Sequence, residues 1–365
     1  MKSAALWMLP LALACDLNPP GPQVGGTEGA VGTTGGHDGH DDGHADDGED
    51  DSADDDEGPD DEGPGEEGPG DEGPGDEGPG DEGPSDTGTD GTGGVPVCYT
   101  EPLFPNEAVD DIVGAYGGGA YKNQVIEAMG RRWPAGAFLL QEQINDPYWG
   151  QFSDPNSWGG MVGWLDTLVH EQTHLFNAYH AIGVGEPHAL YFREDKILYL
   201  PPDQGFARSE IMPHLDPQAA GSTYASTYLT GSQGARLFNP LLDEATAYAN
   251  EVAGMGVFGE YFGGLGVSLR DGSAAFLYFV EVYLRVGRTA HPEWYAWAQT
   301  QEVYVEAVEL LWLRTHFFYE EAADQFPALG ISDDTYRAIA YEPDNIAEID
   351  MFVGKTFTDS SCLGG

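Results

Sequence analysis

From Pro19 to about Gly94 the chain is Gly, Asp, Glu, Pro, Ser and Thr almost without an aliphatic residue, and five units of the type DEGPG repeat from Asp61 to Ser85. This tract limits what the chain can fold into more than any other feature, because it cannot bury enough apolar surface to offset the entropy of ordering it. Between Asp38 and Asp90 it holds 25 of the 63 acidic residues, so like-charge repulsion and the prolines keep it extended. Residues 15–94 are therefore expected to be a disordered acidic linker. The cluster of His37, His40 and His44 within it could chelate a metal weakly, but a solvated polar tract is the simpler reading.

Ahead of the linker, residues 1–14 (MKSAALWMLPLALA) carry one Lys and a short apolar run. The run is too short to span a bilayer and reads as a secretion signal. With Cys15 directly after it, the arrangement looks like a bacterial lipoprotein signal, although Ala12 stands where that motif usually has Leu. The resemblance implies a lipid on Cys15, an extracytoplasmic location and a linker that spaces a domain from the membrane. Ordinary cleavage and secretion is the alternative.

Residues 95–365 are rich in Trp, Tyr, Phe and Leu and long enough to bury a sizeable core, so they are expected to form one domain. With 14 Lys and Arg in the whole chain there is no basic stripe for nucleic acid or anionic lipid, and a monomer is expected. Cys98 and Cys362 lie near its two ends, and in a secreted protein this suggests a disulfide between them.

The coarse pattern of this domain is mainly α with a minor β part. The segments NEAVDDIVGAYG and AYKNQVIEAMGRR have helical spacing, and FLLQEQI fits helix and strand alike. HALYFREDKILYLPP reads as a hairpin closed by Pro201 and Pro202. NPLLDEATAYANEVAG reads as a helix with Asn239 as N-cap and Pro240 at the first helical position, stopping near Gly254. Two long helices follow, GSAAFLYFVEVYLRVG and PEWYAWAQTQEVYVEAVELLWLRTHFFYEEAA, the second with an aromatic stripe that reads as core.

The segment LVHEQTHLFNAYHAIG, Leu168 to Gly183, carries the chemistry. Leu165, Leu168, Gln172, Leu175, Tyr179 and Ile182 recur at three- and four-residue steps and predict one largely apolar side of a helix that stops at Gly183. His170 and His174 are four apart, which puts both imidazoles on one face, where they can share a tetrahedral Zn²⁺ at about 2.0–2.1 Å. Glu171 is too far round the helix to be a natural third ligand but is placed to take a proton from a metal-bound water. Two histidines without a metal remain the plain alternative.

HEQTH preceded by WLDTLV resembles the active-site helix of the zincin metallopeptidases. The resemblance implies a zincin-like helical catalytic domain that hydrolyses a peptide or protein substrate, and two branches compete for its third ligand. The metzincin pattern HExxHxxGxxH fits HEQTHLFNAYH except that Asn177 stands at the glycine position. It would make His180 the ligand and Met212, in SEIMPH, the methionine turn. In a continuous helix, however, His180 points about 100° away from the pair and lies roughly 9 Å along the axis from His174, out of reach of a shared ion. The gluzincin pattern takes a glutamate from a second helix, and LLDEATAYANE supplies Glu244. Ala247 would let the two helices approach, and Tyr248 could donate to an oxyanion. The preferred assignment is His170, His174 and Glu244 as ligands, Glu171 as general base and Tyr248 as oxyanion donor. A surface-displayed zincin-like scaffold without turnover is the alternative from another class.

Overall fold

The computed structural model describes residues 99–261, 269–325 and 333–356. The signal, the linker and all three cysteines lie outside these residues, and with them the expected lipidation and the Cys98–Cys362 bond.

The domain is mainly helical, with one two-stranded sheet among the described residues. Helices α1 (Asp110–Ala115), α2 (Tyr121–Arg132) and α3 (Pro134–Glu142) lead to the long α4 (Trp158–Val184). The ambiguous FLLQEQI segment is thus helical over most of its length, on α3, which opens with Pro134 at its first position. After α4 come the strands β1 (His188–Arg193) and β2 (Lys196–Leu200), antiparallel, with Leu190 opposite Leu198 and an irregularity between Tyr191 and Arg193. Three short helices, α5 (Pro217–Ala220), α6 (Thr223–Tyr228) and α7 (Gly231–Gly234), precede α8 (Phe238–Gly256). The chain ends in α9 (Leu269–Ala290), α10 (Pro292–Gln299), α11 (Glu302–Gln325), α12 (Asp333–Ala340) and α13 (Pro343–Val353).

Helix α8 is the centre of the fold. It is buried nearly all round, and α4, α9, α11 and β1 pack against it. Its first half (Leu241, Leu242, Ala245, Tyr248) joins an apolar core with α9, α10 and α11. Its second half (Val252, Ala253, Met255) joins another core with α2, α3 and the Leu165–Phe176 side of α4. At Gly254 the approach to α4 is so close that a Cβ would stand 3.1 Å from Val169 Cγ2.

Four local expectations change. Asn239 is not the N-cap of α8: the helix begins at Phe238, and the cap comes from Asp203, whose Oδ2 accepts Asn239 N at 2.6 Å. Asn239 instead ties loops together, donating to Pro201 O and accepting from Tyr304 OH. Helix α4 does not stop at Gly183 but runs to Val184, where Gly185 takes the left-handed conformation (φ 81°) that a β-carbon disfavours. On its expected apolar side Leu165, Leu168 and Gln172 are buried, but Tyr179 and Ile182 face solvent. The inward face there is polar, made of His170, Thr173, His174 and Asn177, and these satisfy one another and α8. Finally, the expected last long helix is two, α10 and α11, divided where the Thr300 hydroxyl bonds back to Trp297 O at 2.6 Å.

Candidate metal centre

Helix α4 passes unbroken through Asn177 and His180, started by Ser157, whose hydroxyl accepts Gly160 N. Its residues 170, 174 and 177 share a face by the i, i+4, i+7 rule, and Glu244, Tyr248 and Glu251 share a face of α8 by the same rule. Where these two faces meet, three donor atoms converge: His170 Nε2 and His174 Nε2 are 3.1 Å apart, and Glu244 Oε2 lies 3.7 and 3.5 Å from them. All three residues are buried, Glu244 to 1% exposure. A tetrahedral ion bound at about 2.0–2.1 Å needs donors roughly 3.3 Å apart, so the spacing fits one.

The far side of each imidazole is held by a carboxylate. Asp243 Oδ2 lies 2.7 Å from His174 Nδ1, and Glu251 Oε2 lies 2.8 Å from His170 Nδ1. Burial works against ionisation of Asp243, but His174 and Asn177 outweigh it and hold the carboxyl below the usual range. An ionised carboxylate only accepts, so His174 Nδ1 must donate to Asp243, which turns Nε2 toward Glu244. Asn177 completes the clamp, its Nδ2 donating to Asp243 Oδ1 (2.6 Å) and its Oδ1 accepting Tyr191 N of β1 (2.8 Å).

The cluster's electrostatics favour positive charge, as a proton on His174 or as a bound cation. Burial alone would lower the His174 pKa, yet Asp243 and Glu244 together drive it well above the ordinary histidine value. Burial alone would raise Glu244, yet the two histidines drive it far below the carboxylate range. Among the described residues Glu244 Oε2 accepts no hydrogen bond although fully buried, which is costly unless a cation takes the lone pair. Glu251 behaves differently: burial raises it to about 7, and its bond to His170 offsets only part of that.

The remaining expected residues fall as follows. Glu171 is half-buried, next to His170 on α4 and within electrostatic reach of Glu251. Tyr248 is nearly buried, its ring edge-on to His170 at 4.8 Å and stacked on Phe276, with its hydroxyl 3.1 Å from Tyr228 OH. Burial and the Tyr228 hydroxyl push its pKa well up, so it stays a donor. His180 stands apart from the cluster, stacked on Phe176 at 3.9 Å. Met212 lies in a 3₁₀ turn, Arg208–His214, and packs on the first core.

Sequence reasoning missed Asp243, Glu251 and the bracing role of Asn177. It also missed a buried polar chain behind the site. Thr173 Oγ1 accepts from Asn250 Nδ2 (3.1 Å), Asn250 Oδ1 accepts from Arg314 Nη1 (2.6 Å), and Arg314 Nε donates to Glu101 Oε2 (2.8 Å). Glu251 and Asn177 lie seven positions from a ligand on the same helix and Asp243 directly beside one, whereas Arg314 and Glu101, elsewhere in the chain, give no such signal. No protein-family model, curated protein or solved structure matches the chain.

Proposed function

We propose that the domain is a zincin-like, gluzincin-type zinc metallopeptidase, carried outside the cytoplasm as a secreted or Cys15-anchored protein. The observation that carries this reading is the buried convergence of His170 Nε2, His174 Nε2 and Glu244 Oε2 within a few ångströms, with a carboxylate behind each imidazole. Two neutral nitrogens and a carboxylate oxygen are a donor set that suits Zn²⁺ and leaves one position open. When bound, zinc would act as a Lewis acid and lower the pKa of a water in the open position. Glu171, one residue beyond His170, would serve as the general base toward the attacking water and as the acid toward the leaving amine. Tyr248, kept protonated by burial, donates a hydrogen bond to the carbonyl oxygen as it gains charge. Asp243, Glu251 and Asn177 fix the ring orientations.

The test is metal content together with hydrolysis of an internally quenched peptide library by the full chain. Wild type should carry one zinc per chain and cleave. Glu171→Gln should keep the zinc and lose nearly all turnover, Glu244→Ala should lose the zinc, and His180→Ala should keep it. Zinc retained by Glu244→Ala but lost by His180→Ala would reverse the ligand assignment. Wild-type turnover by Glu171→Gln would remove the base.

A further inference from the structure

The chain has 63 acidic residues to draw on for 14 basic ones, so a cation without a carboxylate partner is unexpected. Arg131, Arg132, Arg193, Arg285, Arg288 and Arg314 each contact one. Arg208 and Arg236 contact none among the described residues, and they are neighbours, since Arg208 N donates to Arg236 O at 2.8 Å and the two guanidinium charges repel each other. Arg208 is wholly buried. Its Nε and Nη2 are spent on Gln233, and Nη1 has no partner. Glu244 and Asp243 lie within electrostatic reach of Arg208 and favour its charged form, but neither makes a hydrogen bond to it among the described residues.

Arg236 lines a cleft of about 350 Å³ together with His188, Asp203, Asn239 and Pro240. The cleft adjoins the metal cluster. Pro240 is one turn before Glu244 on α8, about 6 Å along the axis, and His188 lies within electrostatic reach of His174 and Asp243. His188 Nε2 is buried without a hydrogen-bond partner among the described residues. The one acid in the wall, Asp203, already accepts Gly205 N and Asn239 N, so its oxygens are occupied in capping α8. The Arg236 guanidinium, which contacts no carboxylate among the described residues, and the His188 imidazole in the same cleft make a site for a planar anion, and a carboxylate is the one that a peptide supplies.

We propose that Arg236 and His188 form a carboxylate-recognising subsite beside the His170, His174 and Glu244 cluster, with the buried Arg208 adding positive charge behind Arg236, so that the preferred peptide presents a carboxylate next to the bond to be cleaved. The peptide nature of the ligand rests on the peptidase reading; the carboxylate preference rests on the cleft. The carboxylate comes either from the chain terminus or from an Asp or Glu side chain, and Arg236 is the recognition residue that can be changed most safely, being half-exposed. A net charge of −49 repels anions in general, so a preference for the charged peptide runs against the field of the whole molecule.

The experiment is fluorescence anisotropy with the full-length Glu171→Gln protein and four dansyl peptides at about 0.15 M salt, where long-range charge effects are screened. One pair is dansyl-Ala-Ala-Phe-Ala with a free or an amidated C-terminus. The other is dansyl-Ala-Glu-Phe-Ala-amide and its Gln counterpart. In at least one pair the carboxylate peptide should bind about tenfold or more tightly than its amide, as expected for a charge-assisted hydrogen bond, and that pair identifies the source. Adding Arg236→Gln should bring the ratio close to one, and Arg236→Lys should restore part of it. Equal affinities in both pairs, no binding of any peptide, or an undiminished ratio in Arg236→Gln would overturn the subsite. Because binding is read without turnover, a chain that lacks zinc or hydrolysis but keeps the ratio would sink the peptidase reading and leave the subsite standing.

Discussion

Replacing Arg314 with Met should destabilise the domain by about 3–4 kcal/mol at pH 7. Arg314 and Glu101 form an ion pair with both side chains 1% exposed, so the substitution leaves a carboxylate in the interior without its countercharge. Removing one partner of such a pair costs about 3–5 kcal/mol. The lower part of that range applies because Trp133 Nε1 and Tyr99 OH still donate to Glu101, each at 2.6 Å, and Met can fill space over Phe318. For a domain of this size the melting temperature should fall by roughly 6–12 °C. The deficit should also depend on pH. In the wild type, burial favours the protonated acid but Arg314 wins and holds Glu101 below its ordinary value, a stabilisation present above the unfolded pKa and lost as pH falls. Without Arg314 burial prevails, so the mutant loses stability as pH rises through and above the usual carboxylate range. Urea unfolding of the full chain, followed by tryptophan fluorescence at pH 4 and pH 7, gives both quantities. A loss under about 1 kcal/mol, or one equal at the two pH values, would refute the reasoning.

Asp243→Asn and Glu251→Gln should each weaken zinc affinity about 10- to 100-fold, read by chelator competition; unchanged affinity would mean that the carboxylates do not orient the rings. Glu281 is fully buried on α9 with Trp312 Nε1 as its one donor among the described residues, and burial pushes its carboxyl well above the usual range, so wild-type stability should fall as pH rises above about 4.5. Glu281→Gln should flatten that decline in thermal melts between pH 4 and pH 8, and parallel curves for the two proteins would contradict it. Asn177→Gly removes one buried and one partly buried hydrogen bond and adds a glycine to a helix interior, for about 2–4 kcal/mol in all; a stability loss below about 1 kcal/mol would show that Asn177 does not brace α4 against α8 and β1.

The mainly helical architecture and the hairpin were legible because they rest on periodicity, which a single chain displays directly. The convergence of His170, His174 and Glu244 was legible for a related reason: two helical spacings and one distant acid are a small set to search. Asp243 and Glu251 were not, since a charged residue beside or two turns from Glu244 reads equally well as a solvated face. Local rules failed where a distant partner took over. Asn239-Pro240 has the form of a helix start, but Asp203, 36 residues earlier, supplies the cap and extends the helix. Tyr179 and Ile182 continue an apolar rhythm into solvent because α4 turns its polar face inward. No Gly or Pro marks the break between α10 and α11. It forms at Thr300 and Gln301 as Trp297 packs edge-on to Tyr304 and Gln299 reaches α13.

Helix α8 belongs to two apolar cores at once, and the candidate ligands sit at the seam between them. His170 and His174 ride on α4 with the second core, while Glu244 comes from the end of α8 packed in the first. A cation that needs all three side chains would bind only while α4 and the first half of α8 are packed together, and it would tie the two apolar cores to each other. At a hundredfold excess over its dissociation constant such a ligand adds about 2.7 kcal/mol, and all of it bears on the docking. Stripping the metal should then loosen the join before it melts either core, giving a broader unfolding transition in which amides of α4 and the first half of α8 exchange early while those of α9 stay protected.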